Sequence, residues 1–355
     1  MGGVIDLMAL NRATLSRQLL LERHRMPAVQ AVEHLVGLQA QAPMPPYFGL
    51  WSRLAGFSTG ELSRLLLERE VVRIVLMRGT VHLVSAADCL VLRPLTQPAL
   101  TRYLEAAYGP RLDGVDRQEI LAAGRKALDG VPMTTARLGA VLAERFPGVA
   151  AADLAQVMRS LAALVQVTPR GVWGRSGQTA YATAESWLGR ELHPEPSIEE
   201  LVIRYLRAFG PATVADVQTW SGLTGLREVV ERLRPRLVEL DGGLYDLPEA
   251  PRPGADVPAP VRLLAPFDNL LLSHADRTRI ITDEHRKRVI TINGQVLGTI
   301  LVDGFVRGTW KRDKQRLTVE LFESVTASQA AEIEAEATAL LAFAEPGREP
   351  HIEGI

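Results

Sequence analysis

What this chain has little of narrows its chemistry quickly. A single cysteine, Cys89, stands in 355 residues. One thiol forms no internal disulfide and no multi-thiolate metal site, so a reducing compartment such as the cytoplasm is expected. Lysine is scarce as well. Lys126, Lys287, Lys311 and Lys314 are the whole set, and arginine supplies the rest of the 40 basic residues. A GC-rich genome explains that bias as readily as any binding function does. No window approaches eighteen apolar residues, so nothing is expected to span a membrane. The opening MGGVIDLMALNRATL has no basic stretch leading into an apolar core, and no signal peptide is expected. HExxH, CxxC, P-loop and GxGxxG patterns are all missing, and the seven histidines show no ligand spacing. Neither a metal nor a cofactor is expected. Net charge is -1, which excludes uniform basicity but leaves room for a basic patch balanced elsewhere.

With 47% hydrophobic residues the chain can bury a substantial core and divide into several units. Three segments share an outline of helical patterns followed by a short β-prone pair. The first, within residues 1–115, closes on VVRIVLMRG and TVHLVS. The second, within 116–190, closes on LVQVTPRGVWGRSGQTAYAT, and GRSGQT there reads as a wing turn. The third, within 197–250, closes on DGGLYDLPE. Thr134, Ser197 and Thr213 each precede a helical pattern, and Ser197 has Glu200 at capping-box spacing. This is the outline of three tandem winged-helix units. Residues 189–197 and the proline-rich 248–260 read as linkers. From 258 to 355 the texture becomes β-rich, ending in an acidic, alanine-rich helix whose charges are expected to be solvated. The expected fold class is therefore mainly α with small β-sheets, an α+β chain.

Between Arg277 and Arg316 ten basic side chains face four acids, a local excess of +6. Alternation in HRKRVITI and TWKRDKQRLTV suggests hairpin strands with basic exposed faces. Phosphate contact and simple solvation both account for such a surface. A second feature is LQAQAPMPP. Val32, Leu35, Val36 and Gln39 recur at i, i+3, i+4 and i+7, which places Gln39 on the apolar stripe of a helix. A buried amide needs partners, so Gln39 is either structural or poised in a cleft. Gln41, two residues on, would point away from it in a continuing helix. Pro43 disfavours that continuation, and both amides could then face one pocket.

LQAQAPMPPYFGLWSRL, RGTVHLVSAAD, LLAPFDNLLLSHADRTRII and GTWKRD follow one another across nearly the whole chain. Together they resemble the winged-helix DNA glycosylases of the AlkZ and YcaQ type. That family carries a Gln-Φ-Gln or Gln-Φ-Asp motif, Φ being apolar. Here it reads Gln39-Ala40-Gln41, the form linked to self-resistance against the DNA crosslinker azinomycin. The resemblance implies three winged-helix units in a C shape around a DNA-binding concavity. It also implies excision of N7-alkylated guanines from double-stranded DNA, including unhooking of interstrand crosslinks, by a monomer needing no cofactor. Gln39 and Gln41 would then be the catalytic pair. Arg286, Lys287, Arg288, Arg307, Lys311, Arg312, Lys314 and Arg316 would grip DNA, with the hairpin around Arg307 to Arg316 entering a groove. Asp268 and Asn269 are expected to serve a turn or cap.

The chemistry is consistent with amides. An N7-alkylguanine is already cationic and departs without an enzyme acid, so what remains is to hold water against the anomeric carbon. No lysine precedes Lys126, so none lies near Gln39 in sequence to form a Schiff base, which favours a monofunctional enzyme. The residues themselves leave two other readings open. One is a non-enzymatic DNA-binding regulator or lesion sensor, the other a protein-interaction scaffold.

Overall fold

A computed structural model describes residues 5–355. Helix α1 (Leu7–Arg17) precedes the first repeated unit, which runs α2 (Ala28–His34), β1 (Leu38–Gln39), α3 (Pro45–Trp51), α4 (Thr59–Leu67), β2 (Val71–Val75) and β3 (Val81–Ser85). A 23-residue helix, α5 (Ala86–Tyr108), leads to the second unit. Its interior prolines, Pro94 and Pro98, disguise it in sequence because proline normally ends a helix. The second unit is α6 (Arg117–Ala127), β4 (Met133–Thr134), α7 (Thr135–Arg145), α8 (Ala151–Leu161), β5 (Leu164–Gln166) and β6 (Ala180–Thr183). After the short α9 (Ala184–Leu188) the third unit comprises α10 (Ile198–Phe209), α11 (Val214–Ser221), α12 (Leu226–Leu233), β7 (Val238–Leu240) and β8 (Leu244–Asp246). An isolated bridge from Ala212 to Tyr245 stands where its first strand would be.

Each unit therefore has one order: helix, short strand, two helices, and a two-stranded wing whose second strand pairs with the first. Local chemistry sets the boundaries. Thr134 caps α7 through Arg137 N–H at 3.2 Å, and Ser197 caps α10 through Glu200 N–H at 3.1 Å. Thr213 and Asp216 complete a reciprocal capping box on α11. Residues 174–179 lie between β5 and β6, the wing-turn position expected for GRSGQT. The wings of units one and two are not separate. They join in a six-stranded sheet ordered β1-β3-β2-β5-β6-β4, through the antiparallel pairing of β2 with β5.

The C-terminal part holds β9 (Arg262–Leu264), α13 (Asp283–Val289), β10 (Gly298–Val302), β11 (Phe305–Asp313), β12 (Arg316–Leu321), α14 (Ala327–Ala344) and β13 (His351–Glu353). Its five strands form one sheet ordered β13-β12-β11-β10-β9. Two expectations are corrected here. HRKRVITI is no strand: residues 283–289 are helical. Thr282 caps them through His285 N–H at 3.2 Å, with Asp283 and Glu284 in the first turn and Arg286, Lys287 and Arg288 in the last. That charge order suits the helix dipole, and it outweighs a weak alternation. In α14 Glu332 and Glu334 are exposed as expected, but Glu336 is buried and accepts from Arg23 at 2.6 Å, and the helix carries a core face as well. Ile333, Ala337, Leu340 and Leu341 are buried in the core that the first unit shares with the C-terminal sheet. Its Phe343 meets Phe48, Trp51, Phe57 and Trp173 at centroid distances of 5.8–6.2 Å.

Buried ion pairs fasten these parts. Arg17 of α1 forks onto Asp246 at 2.6 and 2.8 Å, and Arg53 forks onto Asp268 at 2.8 and 2.9 Å. Removing one partner of such a pair costs roughly 3–5 kcal/mol, because the other charge stays buried alone. Asp268 also accepts from Leu270 N–H at 3.0 Å, the cap role expected of it.

Candidate active site

The chain reaches the two glutamines by a left-handed reversal. Helix α2 ends at His34, after which Val36 (φ 53°) and Gly37 (φ 89°) turn it onto β1. A Cβ on Gly37 would lie 2.7 Å from Val84 Cγ1 and 3.1 Å from Leu83 O, so glycine is what allows this close approach to β3. Asn269 donates to Gly37 O at 2.8 Å and holds the turn from the other side. Gln39 is thus on a strand, opposite His82, and not on the helical stripe that the spacing of Val32, Leu35 and Val36 suggests. The correction changes the geometry in a useful direction. Along a strand, alternate residues share a face. Leu38 and Ala40 are buried in the core, Gln39 emerges on the opposite face with 7% exposure, and Gln41 is exposed. Ala40 N–H extends the pairing by donating to Val81 O at 2.7 Å.

Both amide oxygens face the segment that joins the wing strands β2 and β3. Arg78 Nη2 donates to Gln39 Oε1 at 2.7 Å, and Val81 N–H donates to Gln41 Oε1 at 3.2 Å. Because each donor is an N–H, each amide must present oxygen to it and turn its NH2 away. Every carbonyl keeps a second lone pair for a further donor, water included. No carboxylate is among the hydrogen-bond partners of either amide within the described residues.

Three residues brace the pair, and sequence reasoning assigned a role to none of them. Arg78, itself left-handed at φ 56°, anchors its other Nη on Trp220 O at 2.6 Å. Burial pulls its guanidinium down to about 10, which leaves it charged at neutral pH. Arg73, 1% exposed, holds the motif's backbone by donating to Ala40 O at 2.9 Å and Ala42 O at 3.4 Å. His82 is fully buried, and burial with the nearby Arg78 charge pushes it down to about 3, so it is neutral. Its Nδ1–H donates to Thr80 O at 3.0 Å, and its Nε2 has no hydrogen-bond partner. Arg78 and His82 both belong to the RGTVH stretch. Its only sequence signal was the family likeness.

The eight proposed DNA-gripping residues divide. Arg286, Lys287 and Arg288 lie on α13. Arg307, Lys311 and Arg312 lie on β11, Lys314 at the turn (φ 53°), and Arg316 opens β12, so this second group does form the expected hairpin. Much of the local positive charge is already met. Arg286 pairs with Asp283 at 3.2 Å, Arg288 with Glu320 at 2.6 Å, Arg307 with Glu323, Arg312 with Glu345 at 3.1 Å, and Arg316 with Glu353 at 3.4 Å. The partners Glu320, Glu323, Glu345 and Glu353 come from beyond the basic segment, so a count along the sequence could not include them. Such partly exposed pairs contribute little to stability, and a phosphate can replace the carboxylate. Structure does bring hairpin and glutamine loop to one place. A groove of about 790 Å³ is lined by Ala42, Met44 and Phe48 on one side and by Trp310, Lys311 and Arg312 on the other.

No cluster of three or more His, Cys, Asp or Glu able to hold a metal occurs among the described residues, and no described helix is long and apolar enough to cross a membrane. Comparison with known proteins converges on one group. A family model described as DNA glycosylase AlkZ-like matches residues 32–343. An interstrand DNA cross-link repair glycosylase from Streptomyces sahachiroi is 27% identical over 334 residues, covering 87% of this chain and 88% of that protein. The solved structure of Streptomyces sahachiroi DNA glycosylase AlkZ shares the fold, with a TM-score of 0.84 over 99% of each chain at 22% identity.

Proposed function

This chain belongs to the AlkZ-like DNA glycosylases, and from that premise we propose that it hydrolyses the N-glycosidic bond of N7-alkylated guanines in duplex DNA. The proposal includes unhooking of interstrand crosslinks, the Streptomyces sahachiroi relative being named an interstrand DNA cross-link repair glycosylase, in the self-resistance setting that the Gln-Φ-Gln form implies. The observation that carries it is that Gln39, at the end of β1, and Gln41, two residues on, have both oxygens oriented by N–H donors from residues 78–81. A cationic N7-alkylguanine leaves as a neutral base, so the site has no need of a strong acid. Water held between the amides would attack the sugar carbon as the bond breaks, the bonding pair leaving with the base, and the proton the water sheds would pass to solvent. Arg78 weakens Gln39 as a proton acceptor but fixes its direction, a positioning effect. The hairpin and α13 would grip the duplex, with phosphates displacing carboxylates from their arginines. All the groups named come from one chain, in keeping with action as a monomer.

The direct test is free base released from a duplex carrying N7-methylguanine. Release no faster than the spontaneous rate would remove the enzymatic reading and leave a non-enzymatic lesion binder. The proposal also expects an abasic product without strand cleavage. Lys311 lines the groove next to the glutamine loop, so borohydride trapping is a fair challenge. No covalent adduct should form, and an adduct lost in Lys311→Ala would make the enzyme bifunctional.

A further inference from the structure

A cavity of about 530 Å³ opens between α5 and α8, with Arg78 in its lining and neither glutamine among it. Arg78, Tyr103, Tyr108, Gln156 and Arg159 line it, and no carboxylate does. A second cavity of about 600 Å³ shares Tyr108, Gln156 and Arg159 with the first. It carries the groove along α8 to Arg111, whose charge is paired with Asp153 at 3.2 Å. Helix α8 is the third helix of its winged-helix unit, the one that in helix-turn-helix relatives faces DNA. Arg159 makes no ion pair among the described residues, and its Nε is enclosed without a partner. Arg78 commits one N–H to Trp220 O and one to Gln39 Oε1, leaving three of its five. Two guanidiniums with unused donors, unopposed by acid, repel a cationic base and attract an anion.

We infer that this cavity seats a DNA backbone phosphate flanking the lesion nucleotide, held between Arg78 and Arg159 with the tyrosine hydroxyls beside it. The inference rests on the glycosylase reading and extends it to the path of the strand. Its consequence for the reaction is electrostatic. The Arg78 charge is one hydrogen bond from Gln39 and opposes positive charge developing on the sugar. A phosphate in the seat offsets it while leaving the Arg78–Gln39 hydrogen bond in place. Arg159 then acts through the phosphate, as a positioning residue.

The test uses the full chain and N7-methylguanine duplexes in which each phosphate within three of the lesion, one at a time, is a neutral methylphosphonate. Single-turnover base release is measured for wild type and Arg159→Gln. One position is expected to slow wild type by about tenfold, and Arg159→Gln to be slowed about tenfold on the all-phosphate duplex. At that position the two losses should overlap, leaving the variant indifferent to the substitution. Multiplying losses at every position, or an unaffected Arg159→Gln, would overturn the seat while leaving the glycosylase intact. If wild type releases no base from the all-phosphate duplex, the glycosylase reading fails and the seat goes with it. Arg159 has no ion pair to break, so a folding defect is not expected, and a circular dichroism melt checks that.

Discussion

The three repeated helix–wing units solve the same junction in two ways. In unit two β4, and in unit three the bridge at Ala212, run directly into the next helix, and the threonine there becomes the cap: Thr134 for α7, Thr213 for α11. In unit one, residues 40–44 intervene between β1 and α3, and α3 begins at Pro45 with no side-chain cap. The cross-strand pair differs as well. The pair before it does not: Leu38 faces Leu83 in unit one as Met133 faces Tyr181 in unit two and Ala212 faces Tyr245 in unit three. The next residue is Gln39 opposite His82, where unit two has Thr134 opposite Ala180. Where the other copies place residues that cap or pack, the first places an amide beside a neutral imidazole. One copy of the repeat carries amides where the others carry a cap, and its next helix begins without one.

The sharpest way to test that contrast is to empty the polar copy. Gln39→Ala with Gln41→Ala should slow base release by about 10²–10³, the usual loss when an oriented polar group is removed from a reacting centre, with the melting temperature nearly unchanged. Release at the wild-type rate would move the site elsewhere while leaving the activity standing. Acid should expose the imidazole. His82 is held near 3 in the fold, and its ordinary value is 6.5. Between those values the unfolded chain binds the extra proton, so the stability His82 contributes is complete above pH 6.5 and declines as pH falls towards 3. The slope is at most about 1.4 kcal/mol per pH unit for this one group. Buried His274, also near 3, adds its own share. Denaturant melts of wild type and His82→Asn from pH 7 to 4.5 should show a shallower decline in the variant.

A smaller effect is expected from loosening the brace. Arg78→Gln should slow release about tenfold, and in a Gln39→Ala background by less, because the shared hydrogen bond is already gone and only the phosphate contact inferred for Arg78 is left to lose. Fully multiplying losses would mean that Arg78 does not act through Gln39. The mildest change is in a copy without the site. Thr213→Ala should cost about 1 kcal/mol of stability, the usual worth of an N-cap, and leave base release unaltered. A loss of activity there would show that the copies are not as separate in role as their junctions indicate.

Much of this was legible in the residues, and the reasons for the gaps are specific. Helix caps at Thr134, Ser197 and Thr213 act within three residues, so local spacing reveals them. The β11–β12 hairpin shows in the same way, through strands adjacent in sequence. Gln39 was assigned to the wrong element because Val32, Leu35 and Val36 keep helical spacing past the point where Val36 and Gly37 reverse the chain. A hydrophobic run does not record the sign of φ. The pairing of Arg288, Arg307, Arg312 and Arg316 with Glu320, Glu323, Glu345 and Glu353 was hidden too. Several of those carboxylates reach the cluster only after strands and α14 have packed.

By itself the sequence determined the repeated helix–wing order, a single thiol, and two amides flanking one alanine next to a proline-rich turn. Those follow from residue identity and short-range periodicity, which act along the chain. Tertiary structure alone decided that residues 78–81 orient both amides, that Arg73 holds the backbone between and beyond them, that His82 stays neutral opposite Gln39, and that Arg78 lines an acid-free cavity. Each of those depends on which groups lose water together, and desolvation is decided by neighbours in space, which the order of residues along a chain does not specify.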